Sequence, residues 1–255
     1  MMPEMRSVFG VDGRRALDET MRSRSLLAFD FDGTLAPIVF RPDDARVAAD
    51  VAARLERLAR LRPVAVVTGR AANDVLHRLG FVPLFIVGNH GAEEPGRPFL
   101  VDTAPLRALR ARLDAQSAAL QASGIELEDK GYSLALHYRR AADVHQARLQ
   151  LDALLQDLPL TLCCMPGKFV FNIVIAGAPD KFDAVASLVA RAGCAAAVFV
   201  GDDANDEAVF VRAPPHWLTV RVGHEDPASH ARYFLETHAD VAIFLDDMLA
   251  ALERP

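Results

Sequence analysis

The chain has 255 residues, 51% of them apolar and 24% charged, enough hydrophobic material for one α/β core with a modest insertion, and a composition that argues against wholesale disorder. Its net charge of −6 comes without a dense Lys/Arg block or a basic stripe interleaved with aromatics, which argues against nucleic acid as a partner. The longest apolar stretches, such as Ala192 to Val200, are far shorter than the roughly 20 residues that span a bilayer, and MMPEMRSVFG lacks the apolar region of a signal peptide, so a soluble, cytoplasmic protein with no membrane partner is expected; a monomer is a separate expectation.

The first strong element is the apolar run LLAFD (Leu26 to Asp30), read as a buried central strand and closed by FDGT, whose Gly33 lets the chain turn sharply. After RPDDA comes a helix with Val51, Leu55, Leu58 and Arg62 on one stripe, three of the four apolar. PVAVVTG (Pro63 to Gly69) reads as a second buried strand, a helix from Ala71 to Leu79 returns the chain, and FVPLFIVGNHG (Phe81 to Gly91) supplies a third strand and a polar loop. Strand, helix, strand, helix, strand points to a parallel sheet with helices on its faces.

Between residues 100 and 176 the rhythm changes. Thr103 is the expected cap of a helix with Pro105 in its first turn and Leu106, Leu109, Leu113 and Leu120 on its buried stripe. IELED and YSLALHYR form a hairpin about Lys130 and Gly131; a helix with Val144, Ala147, Leu151, Leu154 and Leu158 follows, and LTLCC and KFVFNIVI form a second hairpin about Pro166 and Gly167. Cys163 and Cys164, neighbours in a strand, should point to opposite faces as free structural thiols. The core pattern resumes with a helix from Asp180 to Ala192, whose inward stripe would be Phe182, Val185, Val189 and Ala192, and a buried strand, AAAVFVGDD (Ala195 to Asp203). A short strand, Leu218 to Gly223, and a last helix ending in LDDMLAALE complete the chain. The fold class is therefore α/β, a doubly wound, mostly parallel sheet formed by residues 1–99 and 177–255, with an inserted α+β cap at 100–176.

Three core strands end in reactive groups: Asp30 after LLAF, Thr68 after VAVV, and Asp202 with Asp203 after VFVG. The C-terminal strand edges of an open parallel sheet line its ligand crevice, so these distant segments should converge there. Asp32 lies beyond the strand in the turn that Gly33 permits, so Asp30 and Asp32 can address one pocket. Asp30 can then attack phosphorus to form an acyl phosphate that water hydrolyses. Asp32 would protonate the leaving oxygen and later accept a proton from that water. Asp30, Asp32, Asp202, Asp203 and Asp206 beside a phosphate require a divalent cation, and an Asp-rich pocket without clustered His or Cys suits Mg²⁺. Lys181, opening a core helix, is a fixed cation that can offset the remaining charge.

Taken in order, these residues resemble the four motifs of the haloacid-dehalogenase-like phosphatase superfamily: DFDGT (Asp30 to Thr34), Thr68 in VVTGR, Lys181, and GDDANDE (Gly201 to Glu207). The resemblance implies Mg²⁺ held by Asp30, the backbone carbonyl of Asp32, and Asp202, with Asp206 and Asp203 in support, and substrate bound at Gly33, Thr34 and Gly69. From Leu26 onward the chain is similar to the trehalose-6-phosphate phosphatase family in GNHGAE (Gly88 to Glu93), EDKGYSLALHYR (Glu128 to Arg139), PGKF (Pro166 to Phe169) and DDMLAAL. That likeness implies a sugar-phosphate substrate, trehalose 6-phosphate, with Arg70, Asn89, His90, Glu93, Lys130, His137, Arg139 and Lys168 around the phosphate and sugar hydroxyls, and a cap that excludes bulk solvent.

Two positions depart from the family pattern: Asn172, where an acidic residue is usual, and Phe182, where a small residue follows the motif lysine. A glutamate accepts from two hydroxyls with full charge, whereas the Asn172 amide accepts through oxygen and donates through nitrogen. The alternatives are a phosphatase for another sugar phosphate, a phosphotransferase that passes the acyl phosphate to a sugar, and a catalytically silent sugar-phosphate sensor. The intact Asp30 and Asp32 pair argues against the sensor.

Overall fold

A computed structural model describes residues 5–97, 102–167 and 169–253 and separates into two compact units, Met1–Arg97 with Pro179–Pro255, and Pro98–Ala178. The expected start of the insertion at residue 100 lies outside the described residues, as does Lys168.

The larger unit begins with β1 (Arg6–Ser7) and α1 (Val11–Arg22), then alternates β2 (Ser25–Phe29), α2 (Ala49–Leu61), β3 (Val64–Val67), α3 (Ala72–Leu76) and β4 (Phe85–Val87). The smaller unit contributes α4 (Ala104–Asp114), α5 (Ser117–Ala122), β5 (Glu126–Asp129), β6 (Ser133–His137), α6 (Val144–Leu155), β7 (Leu162–Gly167) and β8 (Val170–Ile175). The larger unit resumes with α7 (Lys181–Arg191), β9 (Ala196–Gly201), α8 (Glu207–Arg212), β10 (Leu218–Val222), β11 (Tyr233–Leu235) and α9 (Asp240–Glu253).

Among the described residues the larger sheet runs β1-β11-β10-β9-β2-β3-β4, with every pairing parallel. Alternate strand residues feed two cores. Leu27, Phe29, Val64, Val66, Val198 and Val200 pack with Leu17, Met21, Val51, Leu55, Phe244 and Met248 from α1, α2 and α9. Leu26, Ala28, Ala65, Val67, Ala197 and Phe199 pack with Val185 and Leu188 of α7 and Val209 and Phe210 of α8. Helices thus cover both faces, which is why the central strands read as unbroken apolar runs. Among the described residues no helix is long and apolar enough to cross a membrane.

The smaller sheet is antiparallel, in the order β5-β6-β8-β7. One face, with Leu134, Leu136, Phe171 and Ile173, packs on Leu106, Leu109 and Leu113 of α4 and on Ala147 and Leu151 of α6. Directly opposed residues share a face, so the pairings Glu126 with His137, Glu128 with Ala135, and Ala135 with Asn172 place these polar side chains together on the other face.

The helix expected after Thr103 breaks into α4 and α5, with Leu120 in the second. Thr103 does not cap it: the Asp102 carboxylate accepts from the Ala104 N–H at 2.9 Å, and Thr103 Oγ1 accepts from Arg107 at 2.6 Å. Arg62 lies past the end of α2 in extended backbone. The second hairpin turns beyond Gly167, where Phe169 has φ 63°, because Pro166 and Gly167 remain paired with Phe171 and Val170. β7 is an edge strand, which tolerates the missing proline N–H. In α7 the fully covered stripe is Lys181, Ala184, Val185 and Leu188, with Phe182 and Val189 only partly buried.

Candidate active site

Asp30 directly follows β2, its N–H still donating to Val200 O on β9 at 2.9 Å. Phe31 is fully buried in the core, which leaves Asp30 and Asp32 on either side of it to face the other way. Gly33 takes φ +77°, and Phe31 O accepts from Leu35 and Ala36 at 3.0 and 2.8 Å to close the turn. A Cβ added at Gly33 would sit on the Asp202 carboxylate, and one at Gly201 on the Asp206 carboxylate. Glycine at these two places lets two carboxylates lie directly against backbone, and Gly201 is a position the sequence reading did not single out.

Lys181 is the first residue of α7, whose N-cap Asp180 forms a reciprocal capping box with Asp183. Its side chain is 2% exposed, with Nζ 3.0 Å from Asp30 Oδ1 and 2.7 Å from Asp206 Oδ1. The second Asp206 oxygen accepts the N–H groups of Asp202 and Asp203 at 2.9 and 3.0 Å, so this buried residue ties Lys181 to the loop after β9. Asp203 caps the turn at Ala204–Asp206 by accepting from the Ala204 N–H.

One carboxylate oxygen each from Asp30, Asp202 and Asp206 lie within 4.8 Å of one another. Three carboxylates and one ammonium sum to a formal −2 in a buried pocket. Burial pushes Asp30 up to about 7; Lys181 draws it down and Asp206 adds to the rise. Burial also drives Asp202 well above the usual carboxylate range, reinforced by Asp30 and Asp206. Burial alone would lower the Lys181 ammonium, but Asp206 and Asp30 outweigh it and keep it charged. Asp202 Oδ1 is buried and has no hydrogen-bond partner among the described residues. A hard divalent cation with oxygen ligands would satisfy that atom and cancel the −2, so this donor set fits such an ion.

Thr68 follows β3 and is 1% exposed; its Oγ1 accepts from the Arg70 N–H at 3.2 Å, shaping the Thr68, Gly69, Arg70 turn. Arg70 grips Asp32 at both carboxylate oxygens, 2.6 and 2.8 Å. After β4, Asn89 and His90 both take left-handed φ, 49° and 60°, a rare pair for residues with side chains. Their N–H groups donate to Arg70 O and Thr68 O at 2.8 and 3.0 Å, and the His90 ring fills the space above Gly69. The Glu93 carboxylate holds this loop, accepting from Asn89 Nδ2 at 2.7 Å and from the Ala72 N–H at 3.0 Å. Thr34 is fully buried in the Gly33 turn.

Asp30, Asp32, Thr68, Lys181 and Asp202 therefore meet at the C-terminal edge of β2, β3 and β9. Lys130, His137, Arg139 and Asn172 belong to the smaller unit. There His137 lies 2.9 Å from Glu128, Lys130 3.8 Å from the same carboxylate, and the Arg139 guanidinium 5.9 Å from the Phe169 ring, while Asn172 is 4% exposed. Phe182 packs on Trp217, with the Arg212 guanidinium 4.2 Å from its ring, so the bulk after the motif lysine is absorbed in the helix packing. Two residues missed from sequence, Asp74 and Arg78, continue from Arg70: Asp74 bonds both arginines. The signal was alternating charge at i, i+4 and i+8.

A sequence profile described as trehalose-phosphatase matches residues 28–238. The chain is 31% identical over 254 residues to a trehalose-phosphate phosphatase of Mycobacterium ulcerans, covering 90% of this chain and 62% of that protein. It thus spans about three fifths of that relative's length. Its fold is similar to the C-terminal domain of the trehalose-6-phosphate phosphatase of C. albicans, with a TM-score of 0.78 at 19% identity over 99% of this chain and 98% of that one. A haloacid dehalogenase-like hydrolase from B. subtilis matches with a TM-score of 0.62 at 17% identity, over 87% of this chain and 99% of that one.

Proposed function

The chain belongs to the trehalose-phosphatase family, and on that premise we propose that it hydrolyses trehalose 6-phosphate to trehalose and phosphate. The observation that carries this reading is the buried Asp30 carboxylate at the end of the central strand, 3.0 Å from Lys181 and clustered with Asp202, whose Oδ1 lacks a partner among the described residues.

Asp30 attacks phosphorus, the ester P–O bond breaks, and Asp32 gives its proton to the departing sugar oxygen. A water oxygen then attacks the aspartyl phosphate and the bond from phosphorus to Asp30 breaks, while Asp32 takes a proton from that water and so regains the one it gave. Lys181 holds Asp30 in place and offsets negative charge through both steps. Thr68, with the backbone of Gly33, Thr34 and Gly69, receives the phosphoryl oxygens. Asp30, the Asp32 backbone carbonyl and Asp202 would hold Mg²⁺, with Asp206 anchoring the loop behind them. Bound there, the ion would neutralise the carboxylates and polarise the phosphoryl group.

A second reading, another sugar phosphate as substrate, is favoured by the neutral amide of Asn172 on the polar face of the smaller sheet. Phosphate release with Mg²⁺ from trehalose 6-phosphate, glucose 6-phosphate and an aryl phosphate separates them. Preference for trehalose 6-phosphate is expected; equal or faster turnover of glucose 6-phosphate would remove the trehalose assignment.

A further inference from the structure

A general acid delivers its proton from one orientation, and the Asp32 carboxylate is fixed in plane and rotation by the two-point fork of Arg70, Nε to Oδ2 at 2.6 Å and Nη2 to Oδ1 at 2.8 Å. Arg70 is itself held on several sides. Nη1 donates to Asp74 Oδ2 at 2.9 Å, Nη2 donates also to Pro42 O at 2.8 Å, and the guanidinium lies over the Phe31 ring at 5.3 Å. Four of the five guanidinium N–H groups are spent inside the chain. Asp74 in turn accepts at Oδ1 from Nε of the buried Arg78 at 2.9 Å, and Arg78 reaches Asp43 O in the turn Pro42–Asp44. Burial would raise the Asp74 carboxyl, but hydrogen bonds from Arg78 and Arg70 outweigh it and keep it ionised. A partly exposed pair such as Asp32 with Arg70 adds little stability. What it contributes is a fixed geometry.

We propose that Arg70 is a positioning residue for Asp32, itself oriented by Asp74, and not a ligand of the substrate's phosphate or sugar. The proposal rests on the phosphatase reading above. An alkyl leaving group such as a sugar hydroxyl needs the Asp32 proton as it departs, whereas p-nitrophenolate is stable as the anion and does not. The quantity kcat/KM reports steps through transfer of phosphorus to Asp30, so a misplaced Asp32 should harm it selectively for alkyl esters. Hydrolysis of the aspartyl phosphate needs Asp32 as base whichever alcohol has left, so kcat should fall for both.

The test is steady-state kinetics of wild type, Arg70→Lys and Asp74→Asn, with Mg²⁺, on trehalose 6-phosphate and p-nitrophenyl phosphate. For both variants kcat/KM on the sugar phosphate is expected to fall about 10–100-fold. The ratio of the aryl to the sugar value should rise at least about tenfold. Asp74→Asn keeps the Arg70 side chain and leaves the test open if Arg70→Lys does not fold. Equal falls of kcat/KM on the two esters, or a raised KM for the sugar phosphate at unchanged kcat, would overturn the proposal. A wild-type protein that releases phosphate from neither ester would instead refute the phosphatase reading, and the proposal with it.

Discussion

Replacing Lys181 with methionine keeps the length and apolar stem of the side chain and removes only the ammonium. That leaves Asp30 and Asp206, 3.0 and 2.7 Å from the lost nitrogen, without their cation in a pocket where Asp206 is 0% exposed. Removing one partner of a buried ion pair costs about 3–5 kcal/mol, because the remaining charge has neither water nor counter-ion. Asp30 relieves part of this by taking up a proton, since burial already pushes it to about 7; Asp206 is more constrained, as its second oxygen accepts two backbone N–H groups. At about 2–4 °C per kcal/mol for a domain of this size, the expected drop in Tm is about 6–20 °C. Circular dichroism melts in EDTA at neutral pH measure it, and adding Asp206→Asn to Lys181→Met should recover part of the loss because the two sites are coupled. A drop under about 2 °C, or simple additivity of the two substitutions, would refute the claim that this ammonium compensates buried carboxylates.

Binding of Mg²⁺ should release protons and strengthen as pH rises through about 7, because burial raises Asp30 to about 7, raises Asp202 as well, and the ion needs both ionised. Titration calorimetry in two buffers of different ionisation heat checks this, and a pH-independent affinity would contradict it. Gly33→Ala should cost about 1–3 kcal/mol from backbone strain and in addition weaken Mg²⁺ binding, since its Cβ would displace Asp202. Gly96→Ala, at the similar φ of +78° but in open space, should show the strain alone; equal Mg²⁺ affinities of the two variants would contradict the close approach. His238 is held below its ordinary value of 6.5 by burial, partly offset by a hydrogen bond to the Leu35 backbone. Its neutral form therefore stabilises fully above about pH 6.5, and stability falls as pH drops through the lowered value. His238→Gln should flatten the decline of Tm below about pH 6.5, and an unchanged slope would exclude the residue as its source.

β2, β3 and β9 were legible because each is buried on both faces and ends abruptly in a polar residue, so LLAFD, PVAVVTG and AAAVFVGDD announce both their burial and their rim. β1, β11 and α1 were not, since the strands have two and three residues and α1 buries only Gly13, Leu17, Thr20 and Met21, too sparse for a period. Composition of the acidic cluster was readable, but the division of labour within it was not. That Asp206 spends its oxygens on Lys181 and two backbone N–H groups while Asp202 keeps one without a partner among the described residues follows from loop geometry set by Gly33 and Gly201. Arg70 illustrates the same limit, because a basic residue after a Thr-Gly turn suits a phosphate as well as it suits Asp32, and its fork to Asp32 is visible only once the chain is folded.

The proposed catalysis turns on a covalent bond between phosphorus and the carboxylate at the end of the central strand. Rapid acid quench during turnover of trehalose 6-phosphate with Mg²⁺, borohydride reduction and peptide mass spectrometry read that bond directly, since an aspartyl phosphate is reduced to homoserine while free aspartate is not. Homoserine at position 30, absent without substrate and absent in Asp30→Asn, is the expected result. Sustained phosphate release with aspartate unmodified at position 30, or with label at another carboxylate, would contradict it.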